Sequence, residues 1–354
     1  VLNRRLPDPM TSITRRDLLR GAAVMGGAAL AAPLVSPLAA SAAKGRSTTE
    51  MVYQPGSYFN TPIAQTSETV SSTRTAEFIA MMRSHVDQVG VEYPKLRGID
   101  GNMWGTPYAV GRADDPIYTL GGTGNIPAAC ADLATTGFHA PPWLWKTITG
   151  TSDSPLVVLD KATRQTVWLT GVQSVPVGGG VIDFTWASGR FMHDSNGLDR
   201  RNPQSNNVAN ERSRGAIPDA MVIDRKTLER AIRKGRGLKH VLHMFIVESN
   251  SDDGAVHPMT GFESNPWRVG FGAEGERLRL NPAIDMTLRT SDPYELAIAR
   301  TLQDYGCYIG DNSGSGTALK MEQATVHRDP WVGTGLNQHS LNFTTWDDWQ
   351  VMAP

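Results

Sequence analysis

The chain has 354 residues, 40% of them hydrophobic and 19% charged, with a formal net charge of −1 at neutral pH. That near balance excludes a strongly basic nucleic-acid-binding surface, and two cysteines exclude both a disulfide scaffold and a cysteine-rich metal or iron–sulfur site. A chain of this length buries one large core or two modest ones.

Near the start, Thr14-Arg15-Arg16-Asp17-Leu18-Leu19 sets an arginine pair ahead of an uncharged stretch, residues 21–38, rich in Ala and Gly. The small residues Ala39-Ala40-Ser41-Ala42-Ala43 follow and suit signal peptidase near Ala42. The whole resembles a twin-arginine export leader, with Met10 as its expected start. Pro33 and Pro37 interrupt the stretch and disfavour a membrane anchor. The expected organisation is a twin-arginine signal peptide over 1–43, a polar linker over 44–50 and a single β-rich domain over 51–354. The twin-arginine translocase and signal peptidase are expected partners during export, and the destination is extracellular or cell-wall-associated.

Loss of residues 1–42 removes five arginines and two aspartates and leaves a net charge of about −4. No later apolar run reaches membrane length, so neither membrane insertion nor a nucleic-acid partner is expected. The twin-arginine route carries folded proteins, so the domain must fold in a reducing compartment. Cys130 and Cys307 are then either buried thiols or residues that pair after export.

Along the domain, Phe78, Ile79, Met82 and Val86 repeat at helical spacing and predict a helix over 75–89, with Gly90 as its stop. Residues 156–172 predict a β-hairpin turning at 161–164, and 180–186 the next strand, with Ile182, Phe184 and Trp186 on one face. Asp224 is placed to cap a helix over 225–234, which buries Leu228, Ala231 and Ile232 and stops at Gly235. Residues 238–248 read as a central strand and Arg277-Leu278-Arg279-Leu280 as a strand wet on one side. Asp292 and Glu295 form a capping-box-like pair for a helix over 293–305, ended by Gly306. Mostly strands with about three helices predicts a mainly β fold, a β-sandwich or jelly roll decorated by helices.

This order of elements, with Ser195-Asn196-Gly197-Leu198, Lys239-His240-Val241-Leu242 and above all Asp304-Tyr305-Gly306-Cys307-Tyr308-Ile309-Gly310-Asp311-Asn312, resembles a group of exported bacterial jelly-roll-type proteins. The group is largely uncharacterised and often accompanies carbohydrate-active modules. The likeness covers roughly residues 100 to 330. It implies a fold and a carbohydrate-related neighbourhood more than a reaction, and residues 194–215 are longer and richer in Arg and Asn here.

The nucleophile elbow, zinc-binding helix, Walker loop and dinucleotide fingerprint are all absent. What is left is catalysis by carboxylates, by His, Tyr or Arg, or binding alone. Residues 190–214 are dense in amide, guanidinium and carboxylate groups, which suits hydrogen bonding to a hydroxyl-rich or anionic glycan, though a solvated insertion has the same composition. Asp311-Asn312-Ser313-Gly314-Ser315-Gly316 with Glu322 partly echoes a calcium loop, with serines where stronger ligands belong. Otherwise no cofactor is expected. His240 and His243 point to opposite faces of a regular strand and cannot share one metal. Nine tryptophans are available for core packing or sugar stacking, with Trp143 and Trp145 the better exposed candidates.

The resulting expectation is a secreted polysaccharide-cleaving enzyme of glycoside hydrolase type acting on a cell-wall or environmental glycan. Asp194, Glu211 and Asp311 are the candidate catalytic carboxylates. Trp143, Trp186, Arg190, His193, Asn196, Arg214, His240 and Asn312 are the candidate binders of the polysaccharide or oligosaccharide. The alternatives are a non-catalytic carbohydrate-binding or cell-surface protein and a polysaccharide lyase.

Overall fold

The run Leu156-Val157-Val158-Leu159 has no polar alternation, as befits a strand covered on both faces. In the computed structural model, which describes residues 52–198, 204, 215–216, 220–263 and 270–353, that strand lies near the middle of a stack of layers. The leader, the linker and most of 199–214, with Glu211 and Arg214, lie outside the described residues. By internal contacts the chain divides into Val1–Ser47 and Thr48–Pro354, and every described residue belongs to the second unit.

Three sheets and three α-helices, with short 3-10 helices between them, make up the regular structure of the described residues. The largest sheet runs β1 (Thr69–Val70), β15 (Trp349–Ala353), β12 (Arg277–Leu280), β13 (Cys307–Asn312), β11 (Leu242–Ile246), β14 (Ala318–Lys320), β2 (Lys95–Arg97). A second runs β10 (Ser188–Met192), β7 (Gln165–Leu169), β6 (Leu156–Asp160), β3 (Tyr108–Gly111). The third runs β5 (Phe138–His139), β4 (Ile117–Gly122), β9 (Gly180–Phe184), β8 (Val172–Ser174). The helices are α1 (Ser72–Ser84), α2 (Arg225–Arg233) and α3 (Pro293–Asp304).

Three apolar clusters separate these layers. Leu156, Val158, Val167 and Leu169 face Tyr118, Phe138, Ile182 and Phe184 across the two smaller sheets. From the opposite face of the same strands, Val157, Leu159 and Trp168 meet Phe191, Val241 and Tyr308, which link the second sheet to the largest one. Leu242, Met244, Leu278 and Ile309 then bury the far face of the large sheet against Phe78, Met82, Leu228 and Leu302 of the helices. The expected strand-rich architecture with few helices is therefore present. Each sheet, however, contains parallel pairs (β11 with β13, β14 with β2, β3 with β6, β4 with β9), unlike the antiparallel pairing of a jelly roll.

Several local expectations need correction. Helix α1 starts and stops early, because Ser71 accepts from the Arg74 amide and His85 leaves helical geometry, so Val86 is exposed at 82% rather than buried. Arg277 is not on a wet face. It is 2% exposed, with its guanidinium donating to Tyr305 O, Thr61 O and Glu68 and lying 5.3 Å from the Tyr308 ring centre. Arg190 belongs to strand β10, paired with Val167, and not to a loop. The strand carrying Ile182 and Phe184 ends at Phe184, which leaves Trp186 outside it and 51% exposed.

Candidate functional site

The segment following β14 is the backbone of a cleft. Met321 forms a parallel bridge with Ile223 on one side, and Glu322 forms one with Thr106 on the other. The Glu322 amide donates to Ile223 O at 2.9 Å, and the Gln323 amide to Thr106 O at 2.9 Å. Gly105 permits this approach, since a Cβ there would stand 2.5 Å from Gly98 Cα and 2.7 Å from Met321 O. Three remote stretches thus deliver Tyr108, Asp224 and Glu322 to one cleft of about 500 Å³.

Glu322 is 4% exposed. Its Oε1 accepts from Arg328 Nη2 at 2.6 Å and its Oε2 from the Arg225 amide at 3.0 Å, the first amide of α2. Burial pushes its carboxyl above the usual range, Arg328 opposes that, and the nearby Asp224 charge adds to it. Asp224 is 5% exposed and caps α2, its Oδ1 accepting from the Thr227 amide at 2.9 Å. Burial, with Asp224 and Glu322 nearby, holds the Tyr108 phenol well above its ordinary range, so this hydroxyl stays a proton donor.

Trp143 forms part of the wall, and the Arg328 guanidinium lies 4.3 Å from its ring centre. The wall is held in place because Arg225 donates to Pro330 O and to Val332 O, and Trp331 Nε1 to Glu322 O at 2.7 Å. A buried acid of raised pKa, a second carboxylate, a phenol and an indole thus share one concave surface. Such a set can hold a hydroxyl-rich ligand and move a proton to it.

Of the residues expected from sequence, only Trp143 lines this cleft. Asp194 is exposed in the turn after β10 of the second sheet, Asp311 lies in β13 of the largest one, and Glu211 and Arg214 are outside the described residues. Arg190 pairs with Asp132 at 2.6 Å, and Asn196 donates to Gln204 O at 2.5 Å. Asn312 Oδ1 accepts from the Ser249 amide at 2.6 Å. His193 bonds Thr166 through Nε2 at 3.1 Å, and burial followed by the Arg164 charge lowers its pKa to about 4. His240 is buried, stacked 4.9 Å from Phe59, with burial lowering its pKa.

The stretch that echoes a calcium loop holds a guanidinium instead. Arg97 Nη2 donates to Ser313 Oγ and Ser315 Oγ, both at 2.6 Å, and to Gly316 O at 3.3 Å. Burial lowers the Arg97 pKa to about 10, which nearby Asp311 opposes. Asp311 is grouped not with Glu322 but with Glu263 and Glu274, whose carboxylates lie within 4.8 Å of one another.

Glu322 carried only that calcium signal in the sequence, Asp224 only its place as a cap, and Tyr108 none. The missing signal is the pairing of 106 with 322 and of 223 with 321, which short-range patterns do not encode. Comparison with protein-family models, with curated proteins and with solved structures finds no match to this chain, so the reading of the cleft rests on its geometry.

Proposed function

We propose that the protein cleaves a polysaccharide by hydrolysis in the cleft between α2 and the strands carrying Tyr108 and Glu322. The observation that carries this reading is Glu322: a nearly buried carboxyl, raised in pKa by burial, beside the second carboxylate of Asp224. In the proposed reaction Glu322 donates its proton to the glycosidic oxygen as the sugar C–O bond breaks. Asp224 accepts a proton from the water that adds to the sugar carbon. Trp143 offers an apolar face to a sugar ring and Tyr108 a hydroxyl. Under this reading the catalytic pair moves from Asp194, Glu211 and Asp311 to Glu322 and Asp224. The Arg15-Arg16 leader supports an exported location, where such a glycan is met. No cofactor is invoked.

The test is incubation of the purified protein with a panel of bacterial and plant polysaccharides, reading new reducing ends and unsaturated products. New reducing ends that disappear in Glu322→Gln support hydrolysis. Unsaturated ends would make it a lyase, and binding without any product would make it a carbohydrate-binding protein.

A further inference from the structure

Resting on the reading of this cleft as a glycan site, we infer that its substrate is an acidic glycan, one whose sugars carry an oxyanion such as a uronate carboxylate. The first observation is Arg328. Its Nη2 is used by Glu322 and its plane by Trp143, yet its Nη1 is buried with no hydrogen-bond partner among the described residues. A buried guanidinium N–H left over in a cleft is a costly arrangement unless an acceptor arrives there, and a planar oxyanion is its best match.

The second observation is independent. Arg112, from the turn between β3 and β4, and Lys226, in the first turn of α2, line the same cleft, and neither side chain pairs with a carboxylate among the described residues. Lys161, at the tip of the β6–β7 hairpin, stands near both and near Arg230. Its burial and the charges of Arg230, Lys226 and Arg112 lower its pKa, against the opposing charge of Asp224. Cations from three elements therefore converge where sequence neighbours could not place them.

The cleft also carries five acids, Asp114, Asp115, Asp224, Glu229 and Glu322, two of which are taken up by other cations. Glu229 is matched by Arg225 at 2.7 Å and Glu322 by Arg328 at 2.6 Å. Asp115 already accepts the Arg112 amide at 2.8 Å. The cationic arm and the Arg328 corner thus provide two places for an anion in one cleft.

The test compares affinity and product release for a polyuronate, for the same polymer with its carboxyls reduced to alcohols, and for a sulfated neutral polymer. The acidic polymer is expected to bind at least about tenfold tighter than its reduced form, in line with one charge-assisted hydrogen bond to a guanidinium. That preference should shrink in Arg112→Ala with Lys226→Ala, and further in Arg328→Gln. Preference for the sulfated polymer over the polyuronate would assign the site to sulfate esters within the same anionic class. Equal or tighter binding of the reduced polymer, with cleavage still dependent on Glu322, would overturn the inference while leaving the hydrolase reading intact. Binding of no polymer at all would remove both.

Discussion

Glu322 shows how one side chain acquires a chemical role from its surroundings. An exposed glutamate is ionised at neutral pH. Here burial favours the protonated form, while Arg328 and the Arg225 amide favour the charged one. Glu322→Gln keeps the volume and one hydrogen-bonding oxygen but supplies no exchangeable acid. It should lower turnover at least about a hundredfold, as expected for loss of a general acid, while circular dichroism stays unchanged. His193 gives a second test at this scale. Its pKa is lowered to about 4 by burial and by Arg164 and Lys161, against the opposing charges of Asp160 and Asp194. Between pH 6.5 and 4 the unfolded chain binds the proton and the folded one does not. Stability is therefore full above the unfolded value and falls with pH down to about 4, by roughly 3 kcal/mol. His193→Asn should remove that part of the slope in urea melts run across this range. Neither environment was legible from the sequence, since Glu322 stood out only by its distance from Asp311, whose neighbours in space are Glu263 and Glu274.

At the scale of elements, local chemistry was read well. Asp160 shows why the hairpin forms where its pattern predicts. Its fully buried carboxylate accepts from Thr163 Oγ1 at 2.6 Å, from the Ala162 amide at 2.8 Å and from the His139 amide at 2.9 Å, fixing both the turn and the adjacent strand. Burial opposes its ionisation, yet these hydrogen bonds prevail and hold its pKa below the ordinary value. Caps were equally legible. Asp292 accepts the Tyr294 and Glu295 amides, though Glu295 accepts from Thr290 Oγ1 instead of completing the capping box, and Gly306 closes α3 at φ +68° with Leu278 O only 2.2 Å from where a Cβ would sit. Asp224 serves cap and cleft together, and two substitutions separate the roles. Asp224→Asn should keep stability within a few tenths of a kcal/mol and lose activity, because Asn caps as well as Asp. Asp224→Ala should lose activity and also about 1 kcal/mol of stability in chemical denaturation. What could not be read was which element lies beside which. The parallel bridges of Thr106 with Glu322 and of Ile223 with Met321 join segments 216 and 98 residues apart, and parallel pairing leaves no hairpin signature.

Across the whole molecule, the layers place the two cysteines far apart in the packing. Cys130 belongs to the cluster between the two smaller sheets and Cys307 to the one beneath the helices, both as free, buried thiols. Burial pushes both thiols up in pKa, so neither is a ready thiolate. Alkylation after unfolding, without reductant, should therefore label both, and added reductant should leave the melting temperature unchanged. Under the proposed twin-arginine export, Arg15→Lys with Arg16→Lys should hold the folded protein in the cytoplasm, read by fractionation. The two-sided burial of residues 156–159 was visible as an unbroken apolar run, but the number of layers was not, because it depends on which sheets those faces meet. The central claim, that Glu322 and Asp224 form the working pair of a glycan-cleaving cleft, is tested most directly by counting new reducing ends from the polysaccharide panel with native protein, Glu322→Gln and Asp224→Asn. The account predicts product from the native protein and at least about a hundredfold less from either variant. Full activity in both variants would contradict it.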